Sequence, residues 1–78
     1  MVKIIKYKSN RKIYIVGQGY ITNHHINMMI MNSVDFFVVY SDSDETDITN
    51  EVMANCLLSN IRNNKPMFAK LVYDRMSL

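Results

Sequence analysis

Residues 35–53 read Asp35-Phe36-Phe37-Val38-Val39-Tyr40-Ser41-Asp42-Ser43-Asp44-Glu45-Thr46-Asp47-Ile48-Thr49-Asn50-Glu51-Val52-Met53. The apolar run that opens this stretch has the length of a strand and suits one covered on both faces. Ser41 to Thr46 is polar and acidic and reads as a loop. Thr49 is an N-cap candidate, because a threonine hydroxyl can accept from the first free amides of a helix. Glu51 then falls in the first turn, where a negative charge meets the helix dipole favourably. Val52, Met53, Cys56, Leu57 and Ile61 recur at helical spacing as one buried stripe, which carries the helix to about Asn60. The stretch is therefore a strand, a turn and a helix in succession.

The same grammar occurs earlier in the chain. Ile21-Thr22-Asn23 repeats the tripeptide Ile48-Thr49-Asn50 at a distance of 27 residues. Before it come a strand-like segment, Arg11 to Val16, and a turn at Gly17-Gln18-Gly19. After it, residues 23–32 carry Ile26, Met29 and Ile30 on one helical face and stop at Asn32-Ser33. In front of both units, Lys3 to Lys8 reads as a further strand, joined to Arg11–Val16 by a tight turn at Ser9-Asn10. A two-residue turn sets Lys8 against Arg11, Tyr7 against Lys12 and Lys6 against Ile13. The expectation is a small α+β domain of order ββαβα over residues 1–62. Its core would hold Ile13, Ile26, Met29, Ile30, Phe36, Val38, Val52, Cys56 and Leu57. Asn63-Asn64-Lys65-Pro66 breaks the chain. Residues 63–78 would form a C-terminal extension, a candidate for oligomerisation, in which Met67 to Tyr73 fits the period of a strand and of a short helix equally.

Seventy-eight residues leave room for one small domain. Such a chain buries only roughly 60% of its unfolded surface, so a second copy is one way to complete the core. At 49% apolar and 21% charged the composition is that of a globular protein. One cysteine excludes an internal disulfide, the longest apolar runs are far too short to span a bilayer, and no signal-peptide segment follows the first lysines. A reducing, cytoplasmic setting is expected. The net charge of +2 conceals a dipole. Residues 1–12 hold Lys3, Lys6, Lys8, Arg11 and Lys12 and no acid, whereas residues 42–51 hold Asp42, Asp44, Glu45, Asp47 and Glu51 and no base. A concentrated positive end attracts polyanions.

Catalytic and metal chemistry find little support. His24 and His25 are adjacent, so on a helix they point about 100° apart, and no further His or Cys stands at i+3 or i+4. The acidic run from Asp42 has Asp47 where a calcium loop needs glycine and Met53 where it needs glutamate. Gly17-Gln18-Gly19 lacks the rest of a phosphate-loop signature. Cys56 lies on an apolar stripe, where a thiol is a small hydrophobe. No enzyme activity, cofactor or metal is expected. The basic hairpin differs, because a two-stranded ribbon of lysine, arginine, asparagine and tyrosine can enter the DNA major groove and touch phosphates and base edges. The competing reading is an edge strand whose lysines prevent aggregation.

Lys6-Tyr7-Lys8-Ser9-Asn10-Arg11-Lys12-Ile13-Tyr14 resembles the opening signature of the polyhydroxyalkanoate (PHA/PHB) synthesis repressor family, a K-K-Y-P-N-R-[RK]-L-Y-D-T type segment. Tyr20-Ile21-Thr22 is similar to that family's Y-I-T, Asp35-Phe36-Phe37-Val38-Val39 to its D-F-x-V-x strand, and Asp47-Ile48-Thr49 with Val52-Met53 to its D-I-T followed by V-L. The likeness covers about Lys3 to Ile61, the family's N-terminal DNA-binding module. The sequence departs from the pattern with Ser9 for proline, Lys8 where the first tyrosine falls, Ile15-Val16 for Asp-Thr, a first turn about one residue shorter, no T-G pair in the second loop, and Ser33 for glycine. The resemblance does not extend to the region that follows the module in full-length members and is associated with polymer granules, so polymer-granule binding is not part of the leading expectation.

The resemblance implies a bacterial, repressor-like transcription regulator that binds double-stranded DNA as a homodimer or higher oligomer, away from membranes. Lys6, Lys8, Arg11 and Lys12 would contact phosphates or bases, with Asn10 at the tip and Tyr14 in support. The alternative is a protein-interaction, oligomerisation or granule-adaptor module without DNA affinity. It would use Phe37, the methionines and Met67–Leu78. A third reading, a metal-binding protein, rests on His24, His25 and Cys56.

Overall fold

The computed structural model describes residues 1–10 and 12–76, and for residues 43–45 the backbone alone. The elements are β1 (Val2–Lys6), β2 (Ile13–Ile15), β3 (Gly19–Ile21), α1 (Asn23–Met31), β4 (Phe36–Tyr40), β5 (Ser43–Asp47), α2 (Thr49–Arg62) and α3 (Pro66–Met76). The five strands make one mixed sheet in the order β3-β2-β1-β4-β5. β1 is central. It pairs antiparallel with β2 in the register a two-residue turn requires, Lys6 opposite Ile13, and parallel with β4, Val2 opposite Phe36 through Lys6 opposite Tyr40.

Two strands lie where sequence reading places turn or loop. β3 pairs with β2, Tyr14 opposite Tyr20, and β5 pairs with β4 across an irregularity at Val39/Tyr40. Both are edge strands. An edge is held by backbone hydrogen bonds on one side only, so it tolerates an acidic sequence such as Ser43-Asp44-Glu45-Thr46-Asp47 that no apolar alternation marks. Each repeated unit is thus a hairpin followed by a helix.

The starts and stops of α1 and α2 repeat the parallel. Thr22 is the N-cap of α1, and its N–H donates to His25 Nδ1 at 3.3 Å. In the second unit the cap shifts by one residue. Ile48 is the N-cap, Thr49 is the first helical residue, and the Asp47 carboxylate accepts from the Thr49 N–H (2.8 Å) and from its hydroxyl. The same hydroxyl accepts from Val38 N–H at 2.9 Å, which ties the start of α2 to β4. Both helices stop in a Schellman motif. Val34 N–H reaches Met29 C=O and Ser33 N–H reaches Ile30 C=O, as Lys65 reaches Asn60 and Asn64 reaches Ile61. Ser33 (φ 56°) and Asn64 (φ 54°) take the left-handed position.

Alternation along the strands sends Ile4, Ile13, Ile15, Phe36 and Val38 to the helical side. There they form one buried cluster with Ile26, Ile30, Ile48, Val52, Met53, Cys56 and Val72. Met29 and Leu57, expected in the core, pack on its margin. Ile61 does not belong to it and is 60% exposed. Its expected place is taken by Asn60, 3% exposed, whose side-chain amide pairs reciprocally with that of Asn27 at 3.2 and 3.1 Å. Among the described residues the helices contribute to the core on this one face, yet on the other face of β4 Val39 is only 2% exposed while Phe37 is half-buried, so the two-sided cover expected for β4 is met at Val39 and not at Phe37. Residues 66–76 resolve the strand-or-helix ambiguity as a helix, α3. It packs on α1 and α2 through the buried Val72, and Arg75 donates to Val34 C=O at 2.6 Å.

Candidate nucleic-acid interface

Because β1 and β4 are parallel and paired to their last residues, the two turns that follow them emerge side by side; Ser41 N–H donates to Lys6 C=O at 3.0 Å. The β1–β2 tip, the β4–β5 turn and the first turn of α1 therefore share one end of the sheet. This places the start of the acidic stretch next to the basic tip, not at the opposite end as charge segregation along the sequence suggests. Lys8 Nζ lies 3.5 Å from Asp42 and 4.6 Å from the centre of the Tyr40 ring. That pair is well exposed, so it is screened and holds Lys8 only weakly.

The basic hairpin is not a free ribbon, since β1 and β2 are interior strands. Only the tip projects beyond the sheet. Tyr7 N–H still donates to Lys12 C=O at 3.0 Å, and Asn10 Oδ1 accepts from Lys12 N–H at 3.0 Å, so the asparagine braces the turn from within. Arg11 lies outside the described residues. Strand alternation divides the others between two faces. Lys6 points to the helical side. Lys12 and Tyr14 lie on the open side with Tyr20: the Lys12 ammonium is 5.1 Å from the Tyr20 ring centre, and Tyr14 meets Tyr20 edge-on at 5.5 Å. Tyr7 adds a third ring, 6.4 Å from Tyr20.

On the helical side Lys6 and Lys8 do not stand alone. They border a cleft that α2 closes with Asn55, Ser59 and Arg62. The polar line at i, i+4 and i+7 is visible in the sequence, but the meeting of Arg62 with a β-strand 56 residues earlier is not. Arg62, Tyr20 and Tyr40 are thus the residues that reading along the hairpin leaves out.

The remaining candidates are dispersed. His24 and His25 are exposed, their ring centres 6.4 Å apart, while Cys56 is buried with Sγ 3.8 Å from Asn23 Oδ1. Burial pushes the Cys56 thiol up to about 11, against the opposing pull of the Lys6 charge, so the group stays protonated and unreactive near neutrality.

One known family, the PHB/PHA accumulation regulator DNA-binding domain, matches residues 4–64. The chain belongs to this family. As a PHB/PHA accumulation regulator domain it is a DNA-binding transcriptional regulator and not an enzyme. The match begins within β1 and ends at Asn64, just past α2, and so takes in residues of every element that contributes to the basic end. No curated protein and no solved structure matches the chain. Among the described residues no helix of this regulator domain is long and apolar enough to cross a membrane.

Proposed function

We propose that this regulator domain holds double-stranded DNA against the basic end of its sheet, with Lys6, Lys8, Asn10, Arg11, Lys12 and Tyr14 forming the contact. The observation that supports this reading is that Lys6 and Lys8 on the helical side and Lys12 on the open side flank the N-terminal end of α1 at one end of the sheet, where the positive pole of the helix adds to their charge. Lysines neutralise phosphates. The tyrosines beside Lys12 offer hydroxyls to phosphate oxygens and ring faces to sugar and base edges. The tip, rather than a free-standing ribbon, supplies the part narrow enough to enter a groove. A homodimer would set two such tips on one duplex and produce a palindromic site.

The Arg11→Ala/Lys12→Ala variant should fold normally and bind a duplex more weakly across all sequences. The slope of log K against log salt should become shallower by roughly two units, one for each phosphate that is no longer neutralised. Fluorescence anisotropy with a labelled duplex over a salt series measures this. Unchanged affinity and slope would place the interface elsewhere.

A further inference from the structure

The cleft between β1 and α2 has a composition that the hairpin contact does not explain. Its volume is about 570 Å³. Lys6, Lys8 and Arg62 supply three cations, and among the described residues no carboxylate lines the cleft. Asp42 reaches Lys8 only from the rim. Among the described residues neither Lys6 nor Arg62 has an ion-pair partner. Asn23, Asn55 and Ser59 add amide and hydroxyl donors from the first turn of α1 and the outward face of α2. Like charges gathered around a hollow repel one another, and an anion in the hollow removes that cost. A guanidinium with its planar fork, two ammonium groups and neutral donors together suit the tetrahedral oxygens of a phosphate better than a single carboxylate.

We infer that this cleft is a phosphate-binding site, formed by Lys6 and Lys8 from the strand side and by Arg62, Ser59 and Asn55 from α2. The phosphate comes either from the DNA backbone, which extends the interface from the hairpin tip onto α2 and rests on the DNA-contact reading above, or from a free phosphorylated ligand.

Two measurements on the full chain separate these sources. The first titrates inorganic pyrophosphate into labelled protein at fixed ionic strength and follows amide shifts by NMR. The second measures duplex affinity over a salt series. Both compare the unmodified chain with Arg62→Ala, Arg62→Lys and, as a control on α3, Lys70→Ala; circular dichroism confirms that each variant folds. Saturable shifts at Asn23, Asn55 and Ser59 that weaken about tenfold in Arg62→Ala, recover partly in Arg62→Lys and persist in Lys70→Ala establish the site. If Arg62→Ala also weakens duplex binding and makes the salt slope shallower by about one unit, the phosphate is the DNA's. If pyrophosphate binds but duplex affinity is unchanged, the ligand is a free phosphate compound. Absence of saturable shifts together with unchanged duplex binding overturns the inference. The interface at the hairpin tip is then still judged by the Arg11→Ala/Lys12→Ala variant, whose outcome is independent.

Discussion

Asn60 occupies the helix position at which an apolar side chain is expected, and it does so because Asn27 is there to meet it. Each amide donates to and accepts from the other, so neither is left unsatisfied in a low-dielectric interior. Asn60→Ala removes one partner and strands the other, which should cost about 1–3 kcal/mol in chemical denaturation. The double variant Asn27→Ala/Asn60→Ala should cost less than the sum of the two single changes, the signature of a coupled pair. One turn earlier on each helix stands the Asn23–Cys56 contact, so the polar seam repeats. The Cys56 thiol should resist labelling by a disulfide reagent in the native state at neutral pH and react on unfolding. The folded form keeps its proton up to about 11. Above the ordinary thiol value the unfolded chain therefore binds fewer protons than the folded one, and stability should fall as pH rises from about 9 toward about 11. Unfolding curves recorded from neutral to alkaline pH check the sign.

Among the elements, the two helix ends show how one motif is made from different residues. Ser33 and Asn64 both sit in the left-handed region and both close a Schellman turn. Asparagine tolerates that region better than serine, and glycine better than either. Ser33→Gly should therefore stabilise the domain by about 0.5–1 kcal/mol, read as a rise in Tm, whereas Ser33→Val should destabilise it. The start of α2 depends on a longer chain of bonds, from Asp47 through the Thr49 hydroxyl to Val38 N–H. The same bonds hold the Asp47 carboxyl below its ordinary value, so their stabilisation is present above that value and lost as pH falls through the depressed one.

For the whole molecule, α3 decides whether the core is complete. Val72 is 1% exposed and belongs to the single buried cluster to which the sheet, α1 and α2 also contribute. Val72→Ala should lower global stability by about 1–3 kcal/mol in a single cooperative transition, with far-UV and near-UV signals moving together. Separate transitions would mean that α3 is an appendage. The charge pattern also acquires meaning only at this scale. Asp42 and Lys8 are 34 residues apart in sequence yet adjacent in space, because parallel pairing of β1 with β4 brings both turns to one end.

Local order was legible along the chain. Apolar runs placed β1, β2 and β4, helical spacing placed α1 and α2, and the repeated Ile-Thr-Asn marked both helix starts. The clustered lysines around Ser9-Asn10, with the motifs that follow them, pointed to the DNA-binding family. These signals rest on neighbours within one turn or one strand, whose conformation depends on their own side chains. Tertiary structure alone decided that β3 and β5 are strands, that Asn60 turns inward while Ile61 turns out, that residues 66–76 are helical, and that Arg62 closes a basic cleft with Lys6 and Lys8. Each of these depends on a partner far away in sequence: a backbone edge to pair with, a second amide, a core to cover, a cation brought near by folding.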